Sequence, residues 1–318
     1  MFAYIVRRLL YNIPVYLGII FIVMAALRVN DPVWAYLGKH ATQERYDQLA
    51  SDMGLGKPFV QQYGNFLSDV ARLDFTVESW DQPGMKVGKL LTQCLIPSLA
   101  LTIPALILTT ILAITVGLLS AYNRGRWIDQ SLVFFSVLGM SISYLVYIIL
   151  GQYFGAFWLN EWGIGIFAIE GYPESLTPSS WIHYCLLPVL ISVTVALGYD
   201  ARYYRAVMVE ESNRDYITTA RAKGASGQKI LFVHVLKNAM IPIITRIMIT
   251  LPFLVTGSIL MEMYFNIPGM GRQLILAINA KDFPVIQVFT AIFAALFILT
   301  NIMTDVLYAI FDPRVRLQ

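Results

Sequence analysis

The chain has 318 residues, of which 57% are hydrophobic and 14% charged, with a formal net charge of +3. Soluble domains carry roughly 25% charged residues, and with a mean hydropathy of +0.63 this composition excludes an ordinary water-soluble domain. The net charge says little by itself; the expected solvent is a lipid bilayer, and no nucleic-acid partner is expected.

Arg7 and Arg8 precede an apolar run over 9–27. The run is too long for a signal-peptide core, and Met24-Ala25-Ala26 is a poor small-x-small cleavage site, so an uncleaved first transmembrane helix is expected. The segment 28–94 is too long for a simple connector. It holds a helix-like stretch at 42–53 that Thr42 is placed to cap, a break at Gly54-Leu55-Gly56-Lys57-Pro58, and a second stretch at 59–73 with Phe59, Tyr63 and Phe66 at helical spacing. Further spans are expected at about 95–122, 130–158, 184–204, 239–261 and 285–310, each reaching the roughly 20 residues that cross about 30 Å of hydrocarbon. Pro97, Pro104, Pro242 and Pro252 fall inside them as kinks or helix starts. Cys94 and Cys185 stand alone at the starts of two runs and give no disulfide framework. His40, His183 and His234 lie too far apart in sequence to suggest a metal site.

Arg7, Arg8, Arg124, Arg126, the cluster from Arg202 to Lys237, and Arg314 and Arg316 fall on one side of the membrane. The short loop 159–183 on the other side has no Lys or Arg and carries Glu161, Glu170 and Glu174. The long segment 28–94 is mixed, with seven basic and eight acidic residues, and long loops translocate regardless of charge. The expected fold is therefore an all-α membrane protein of about six transmembrane helices with both termini cytoplasmic. Its expected organisation is a first helix at 1–27, an extracytoplasmic insertion at 28–94, and a core at 95–318 with a cytoplasmic loop at 205–238.

That loop is the most informative stretch. Ser212 and Asp215 form a Ser-x-x-Asp capping pattern, and Gly224 stands where a left-handed residue ends a helix, after Lys223 in the last turn. The spacing predicts a short helix over 213–223, marginal on its own in water and so expected to be docked. One stripe holds Ile217, Ala220, Arg221 and Gly224, and the adjoining one Tyr216, Thr219, Ala220 and Lys223. A ring among small residues suits insertion into a groove on another protein.

Ala220-Arg221-Ala222-Lys223-Gly224, followed by Lys237-Asn238-Ala239-Met240-Ile241-Pro242, resembles the EAA loop of bacterial ABC importer permeases. The stretch from Asp215-Tyr216 to Pro242 is similar to the dipeptide/oligopeptide/nickel permease family, as are Tyr4-Ile5-Val6-Arg7-Arg8, Asp31-Pro32-Val33, the Gly54 to Pro58 segment, Phe265-Asn266-Ile267-Pro268-Gly269-Met270-Gly271 and Asp312-Pro313-Arg314-Val315-Arg316. Two departures are the Thr219-Ala220-Arg221-Ala222 form of the leading Glu-Ala-Ala, and Asn30 in place of a Gly before Asp31-Pro32. The resemblance implies a type I ABC importer permease of the bacterial inner membrane, of the subunit type with the larger first loop. It implies that Asp215, Tyr216, Thr219, Ala220, Arg221, Ala222, Lys223 and Gly224 dock against an ATP-binding subunit. It also implies as partners a second homologous permease subunit, two ATP-binding subunits and an extracytoplasmic substrate-binding protein. The implied cargo is di- or oligopeptides, with nickel complexes or oligosaccharides as the alternative. The chain holds no Gly-x-x-x-x-Gly-Lys-Ser/Thr loop, so ATP and Mg are expected on partner subunits, with no cofactor, metal or catalytic residue on this chain.

Arg246 lies within the fifth span, where a charge costs on the order of 3 kcal/mol on insertion scales. It is either a pathway residue for a peptide carboxylate, a structural partner of Asp305 or of the second subunit, or a side chain snorkelling to the inner interface. Glu262 either lines the outer mouth or sits solvated. Among Tyr144, Tyr147, Tyr153, Phe154 and Trp158 on the third span, the last three suit an interfacial belt and Tyr147 is a pathway candidate. An ion-coupled secondary transporter would call for buried acidic residues in several spans and internal repeats; only Asp305 fits, and no repeat is visible. A membrane enzyme would need a reactive constellation within the spans, and none is seen.

Overall fold

The computed structural model describes residues 2–29, 31–37, 42–256 and 258–311, with side chains for all of these except 2–6, 35, 253–256, 305 and 307–311. Asn30, His40, the 312–316 motif and the side chain of Asp305 lie outside the described residues. In chain order the helices are α1 (Phe2–Leu27), α2 (Val33–Tyr36), α3 (Gln43–Asp52), α4 (Phe59–Ala71), α5 (Val87–Tyr122), α6 (Trp127–Ser141), α7 (Tyr144–Gln152), α8 (Trp158–Glu161), α9 (Pro178–Ser212), α10 (Asp215–Ala222), α11 (Gly227–Lys229), α12 (Leu236–Thr256), α13 (Ile259–Tyr264), α14 (Met270–Ala280) and α15 (Phe283–Phe311). Turns of π-helix at Tyr153–Phe157 and Ile230–Val235 join α7 to α8 and α11 to α12.

Among the described residues five helices are long and apolar enough to cross a membrane, and up to six if one bent pair counts as a span. That pair is the third expected span, and here the structure corrects an unbroken helix over 130–158. Ser141 turns its hydroxyl back onto the Val137 carbonyl (2.7 Å), a bond that competes with continued helix. The chain then runs extended through Ile142 (φ −88°, ψ 135°) and Ser143 (φ −60°, ψ 140°). The helix restarts at Tyr144, bent by 91°. The Tyr147 hydroxyl donates to the Gly139 carbonyl (3.0 Å), stapling the two halves.

Two helices are longer than hydropathy indicated. α5 begins at Val87 and α9 at Pro178, with 36 and 35 residues; at about 1.5 Å per residue each is over 50 Å long and must project from a ~30 Å hydrocarbon layer. The start of α9 is fixed by Thr177, whose hydroxyl accepts from the Ser180 amide while the Ser180 hydroxyl accepts from the Thr177 amide, a reciprocal cap.

α9 is the central rod. Small residues let its neighbours approach closely. A Cβ on Gly117 of α5 would lie 3.2 Å from the Tyr204 and Arg205 backbone, and one on Gly198 of α9 would lie 2.9 Å from the Ser136 carbonyl of α6. A Cβ on Gly151 or Gly155 would instead meet side-chain ends, Ile191 at 2.5 Å and Leu187 at 2.8 Å. Outside, α4 lays its aromatic face on α1: Phe59, Tyr63 and Phe66 pack around Ile20 and Met24, and the Tyr63 hydroxyl donates to the Leu17 carbonyl (2.9 Å). Thr42 takes the N-cap position of α3, but its side chain makes no capping bond.

Candidate functional site

The short helix expected within the loop 205–238 is α10. It is shorter than 213–223, because Ser212 does not cap it. The Ser212 hydroxyl donates to the Val209 carbonyl (2.8 Å), which keeps Ser212 in the last turn of α9. The residue before α10 is Arg214, in extended backbone and with no capping bond from its side chain; its guanidinium instead reaches back to Glu210 (2.9 Å) and Glu211 (3.6 Å). Asp215 supplies negative charge in the first turn, which the helix dipole favours. The far end matches expectation. Gly224 is left-handed at φ +79°, its amide donates to Arg221 (2.9 Å), and the Ala225 amide donates to Ala220 (3.1 Å). This pair of bonds satisfies the last carbonyls of the helix.

The faces of α10 divide sharply. Ile217 is 1% exposed and Ala220 8%. Both enter a cluster with Ala113 and Leu118 of α5, Ala201, Tyr204 and Met208 of α9, Ile230 and Val235 of the π-helical turn, and Ala239 in the first turn of α12. Burying an isoleucine side chain contributes about 1.5–3 kcal/mol, enough to dock a helix too short to persist alone. Asp215, Tyr216, Thr219, Arg221, Ala222, Lys223 and Gly224 stay exposed. Ile217 and Ala220 therefore face this chain's own spans, and the outward surface is the Tyr216–Thr219–Ala222 side. The Tyr216 hydroxyl donates to Glu211 (2.5 Å); partial burial first, and this bond second, push its pKa up to about 12.

Below α10 the inner ends of α5, α6 and α9 are tied by one buried carboxylate. Asp129 is 3% exposed and takes two bonds from the Arg205 guanidinium (both 2.7 Å). It also accepts from the Ser120 hydroxyl and the Gly125 amide (2.9 Å). A buried carboxylate with this many donors is fully compensated, whereas stranding either charge costs several kcal/mol.

The pathway candidates do not converge on one site. Arg246 reaches Asp200 of α9 (3.0 Å) and lies over the Tyr203 ring (5.9 Å); Asp200 is the described partner that hydropathy reading missed, although an acid inside the predicted fourth span was the available signal. Tyr147 serves the break between α6 and α7. Glu262 is neither solvated nor at an open mouth: it is 0% exposed. Its carboxylate accepts from the Ser98 hydroxyl (2.7 Å) and the Arg272 amide (2.9 Å), while Ser98 accepts from the Met270 amide (2.8 Å). Glu262 thus caps the N-terminus of α14 from α13 and ties both to α5. Gly269 leaves room for it, since a Cβ there would lie 2.5 Å from both carboxylate oxygens.

Comparison with known proteins places this architecture. A match to the family described as "Binding-protein-dependent transport system inner membrane component" covers residues 113–317, and a match to the N-terminal part of such membrane components covers residues 1–99. The chain is 33% identical over 319 residues to a probable peptide ABC transporter permease protein, y4tP, of Sinorhizobium fredii, covering 99% of each chain. It is 32% identical over 319 residues to the glutathione transport system permease protein GsiC of Escherichia coli, again 99% of each. It is 30% identical over 338 residues to the dipeptide transport system permease protein DppB of Alkalihalophilus pseudofirmus, covering 99% of this chain and 100% of that one. Permeases of this kind work with ATPase and substrate-binding partners. With five helices fit to cross a membrane among the described residues, or six if the bent pair is one span, the chain belongs to the binding-protein-dependent transport system inner membrane components, the membrane-spanning permeases of ABC importers.

Proposed function

We propose that residues 215–224 are the element through which an ATP-hydrolysing subunit works this permease, and that the importer carries short peptides inward by alternating access. The observation that supports this most directly is the division of α10. Its inner stripe, Ile217 and Ala220, packs on the π-turn Ile230–Val235 that leads into α12 and joins one apolar cluster with residues of α5 and α9, so a force on the outer stripe passes first to the turn that continues into α12. The assembly in this reading holds a second homologous permease subunit, two ATP-binding subunits that hold ATP and Mg, and an extracytoplasmic binding protein that selects the cargo. Peptide is favoured over nickel complexes or oligosaccharides because relatives across the whole chain are named for peptide, dipeptide and glutathione transport.

The direct test is site-specific crosslinking. A cysteine introduced by Thr219→Cys or Ala222→Cys, in native membranes that contain the complete importer, should capture an ATP-binding subunit. The native Cys94 and Cys185 are buried and do not compete. Failure of both positions to capture such a subunit in any nucleotide state overturns the assignment.

A further inference from the structure

A broken helix and an ion pair share one face of this chain. The break leaves Ser141, Ile142 and Ser143 exposed, with extended backbone at 142 and 143. Within a membrane, irregular backbone is tolerated where it is buried in protein or lines a water-filled cavity, not where it faces lipid. Next to the break lies a cavity of about 350 Å³, within the range of roughly 300–1,000 Å³ seen for small-molecule sites. Its lining is mostly apolar, with Leu101, Leu106 and Met261, and is interrupted by Tyr144, Thr250 and Asp200. The Tyr144 hydroxyl is 3.3 Å from the Ser192 and 3.1 Å from the Ser258 hydroxyl, so a patch of hydroxyls stands in this wall beside the break.

The ion pair lies on the same face by helical spacing. Ser192 and Asp200 are two turns apart on one stripe of α9, and Arg246 and Thr250 are one turn apart on α12. The pair is not sealed: the Arg246 side chain is 39% exposed and that of Asp200 13%. Both charges sit on helices that cross the bilayer, and a lipid-facing position there is costly for either. The pair and the break therefore call for a neighbour other than acyl chain, which a facing subunit or a water-filled path supplies, and the hydroxyls and charge in the cavity wall favour the path.

We propose that this face is the chain's wall of the translocation path. In that wall Asp200 and Arg246 exchange each other for the α-ammonium and α-carboxylate of a passing peptide. No bond is made or broken; one ion pair is replaced by two, so the charges stay compensated throughout passage. The assignment of the path does not depend on cargo, whereas the exchange step rests on the peptide reading above.

The test uses the complete importer in proteoliposomes. Ser143→Cys and Thr250→Cys are treated with water-soluble methanethiosulfonate reagents, one carrying a sulfonate and one a trimethylammonium group. Both positions should be labelled in at least one nucleotide state. At Thr250→Cys, Asp200→Asn should raise the sulfonate-to-ammonium rate ratio and Arg246→Gln should lower it, with each reagent's rate moving by up to roughly fivefold, in opposite directions, for a charge a few ångströms away in water. Should either single variant fail to assemble, the double variant D200N/R246Q leaves no unpaired charge. It should be labelled with a ratio near that of the free reagents, with uptake of labelled dipeptides reduced by an order of magnitude while ATP hydrolysis continues. No labelling at either position in any state, or ratios unmoved by the charge changes, overturns the path assignment. Normal dipeptide uptake by the double variant overturns the exchange. A wild-type importer that takes up no peptide refutes the peptide reading and the exchange with it, and the labelling ratios still decide the path.

Discussion

Gly224 is the position where backbone chemistry and transport can be separated. It is left-handed at φ +79°, and a Cβ there would meet nothing within 4 Å, so a substitution acts through conformation and not through a clash. A left-handed L-residue costs roughly 1–2 kcal/mol, which corresponds to a factor of about 5–30 in an equilibrium. Gly224→Ala should therefore lower the population of closed, docked α10 by that factor relative to a frayed end. Gly224→Val should do more, because a β-branched residue is a worse fit at positive φ. Gly224→Asn should do less, because Asn tolerates this conformation. The assay is ATP hydrolysed per peptide imported in proteoliposomes, alongside amide exchange across 215–222. Coupling should fall in the order Gly, Asn, Ala, Val at equal protein levels, with exchange rising in step. If Gly224→Val couples as well as wild type with unchanged exchange, the cap is not what holds the helix in working position.

Ile217→Ala removes the anchor of α10 and should cost 2–5 kcal/mol of local docking; exchange at 215–222 should speed up while the membrane helices stay protected, and equal protection in both proteins would refute the anchor. Asp129→Asn leaves Arg205 partly buried without its carboxylate and should destabilise by about 3–5 kcal/mol; D129N combined with Arg205→Met should recover part of the lost melting temperature in detergent, and no recovery would deny the pair its role. Gly269→Ala forces a methyl into the Glu262 carboxylate and should lower membrane levels of folded protein, while Glu262→Gln, which keeps the shape but turns a donor toward amide donors, should cost about 1–3 kcal/mol. The Tyr216–Glu211 bond requires the neutral phenol, so its contribution is complete below the ordinary tyrosine pKa near 10. It should disappear as pH rises towards about 12; Tyr216→Phe should remove that contribution from an alkaline melting-temperature profile in detergent.

Much of the architecture was legible because hydropathy and Lys/Arg placement report directly on the bilayer. Helix ends and the faces of α10 were less so. Ser212 and Asp215 satisfy the capping pattern in one dimension, yet α9 continues one residue too far for Ser212 to serve, and periodicity could not say whether Ile217 faces outward or its own spans. The break at 141–143 was hidden because serine and isoleucine leave the apolar average unchanged; the Ser-Ile-Ser order was the only hint. Glu262 looked like a loop acid because its partners, Ser98 and the start of α14, are distant in sequence or invisible as side chains. Asp200 was detectable as an acid within an apolar span. Asp129 and Arg205 were visible only as ordinary charges at a membrane boundary, since their pairing is a matter of helix packing.

The length of α9 has a mechanical consequence. Gly198 marks its tight crossing with α6, with 14 residues from there to Ser212 and 20 back to Pro178, or about 21 Å and 30 Å at 1.5 Å per residue. If the rod tilts about that crossing, it is a lever with unequal arms: each ångström of sideways travel at the cytoplasmic tip becomes roughly 1.4 Å, oppositely directed, at the external tip. Spin-label distances at the two ends would show that ratio, and equal or same-direction shifts would mean that the rod bends or slides instead.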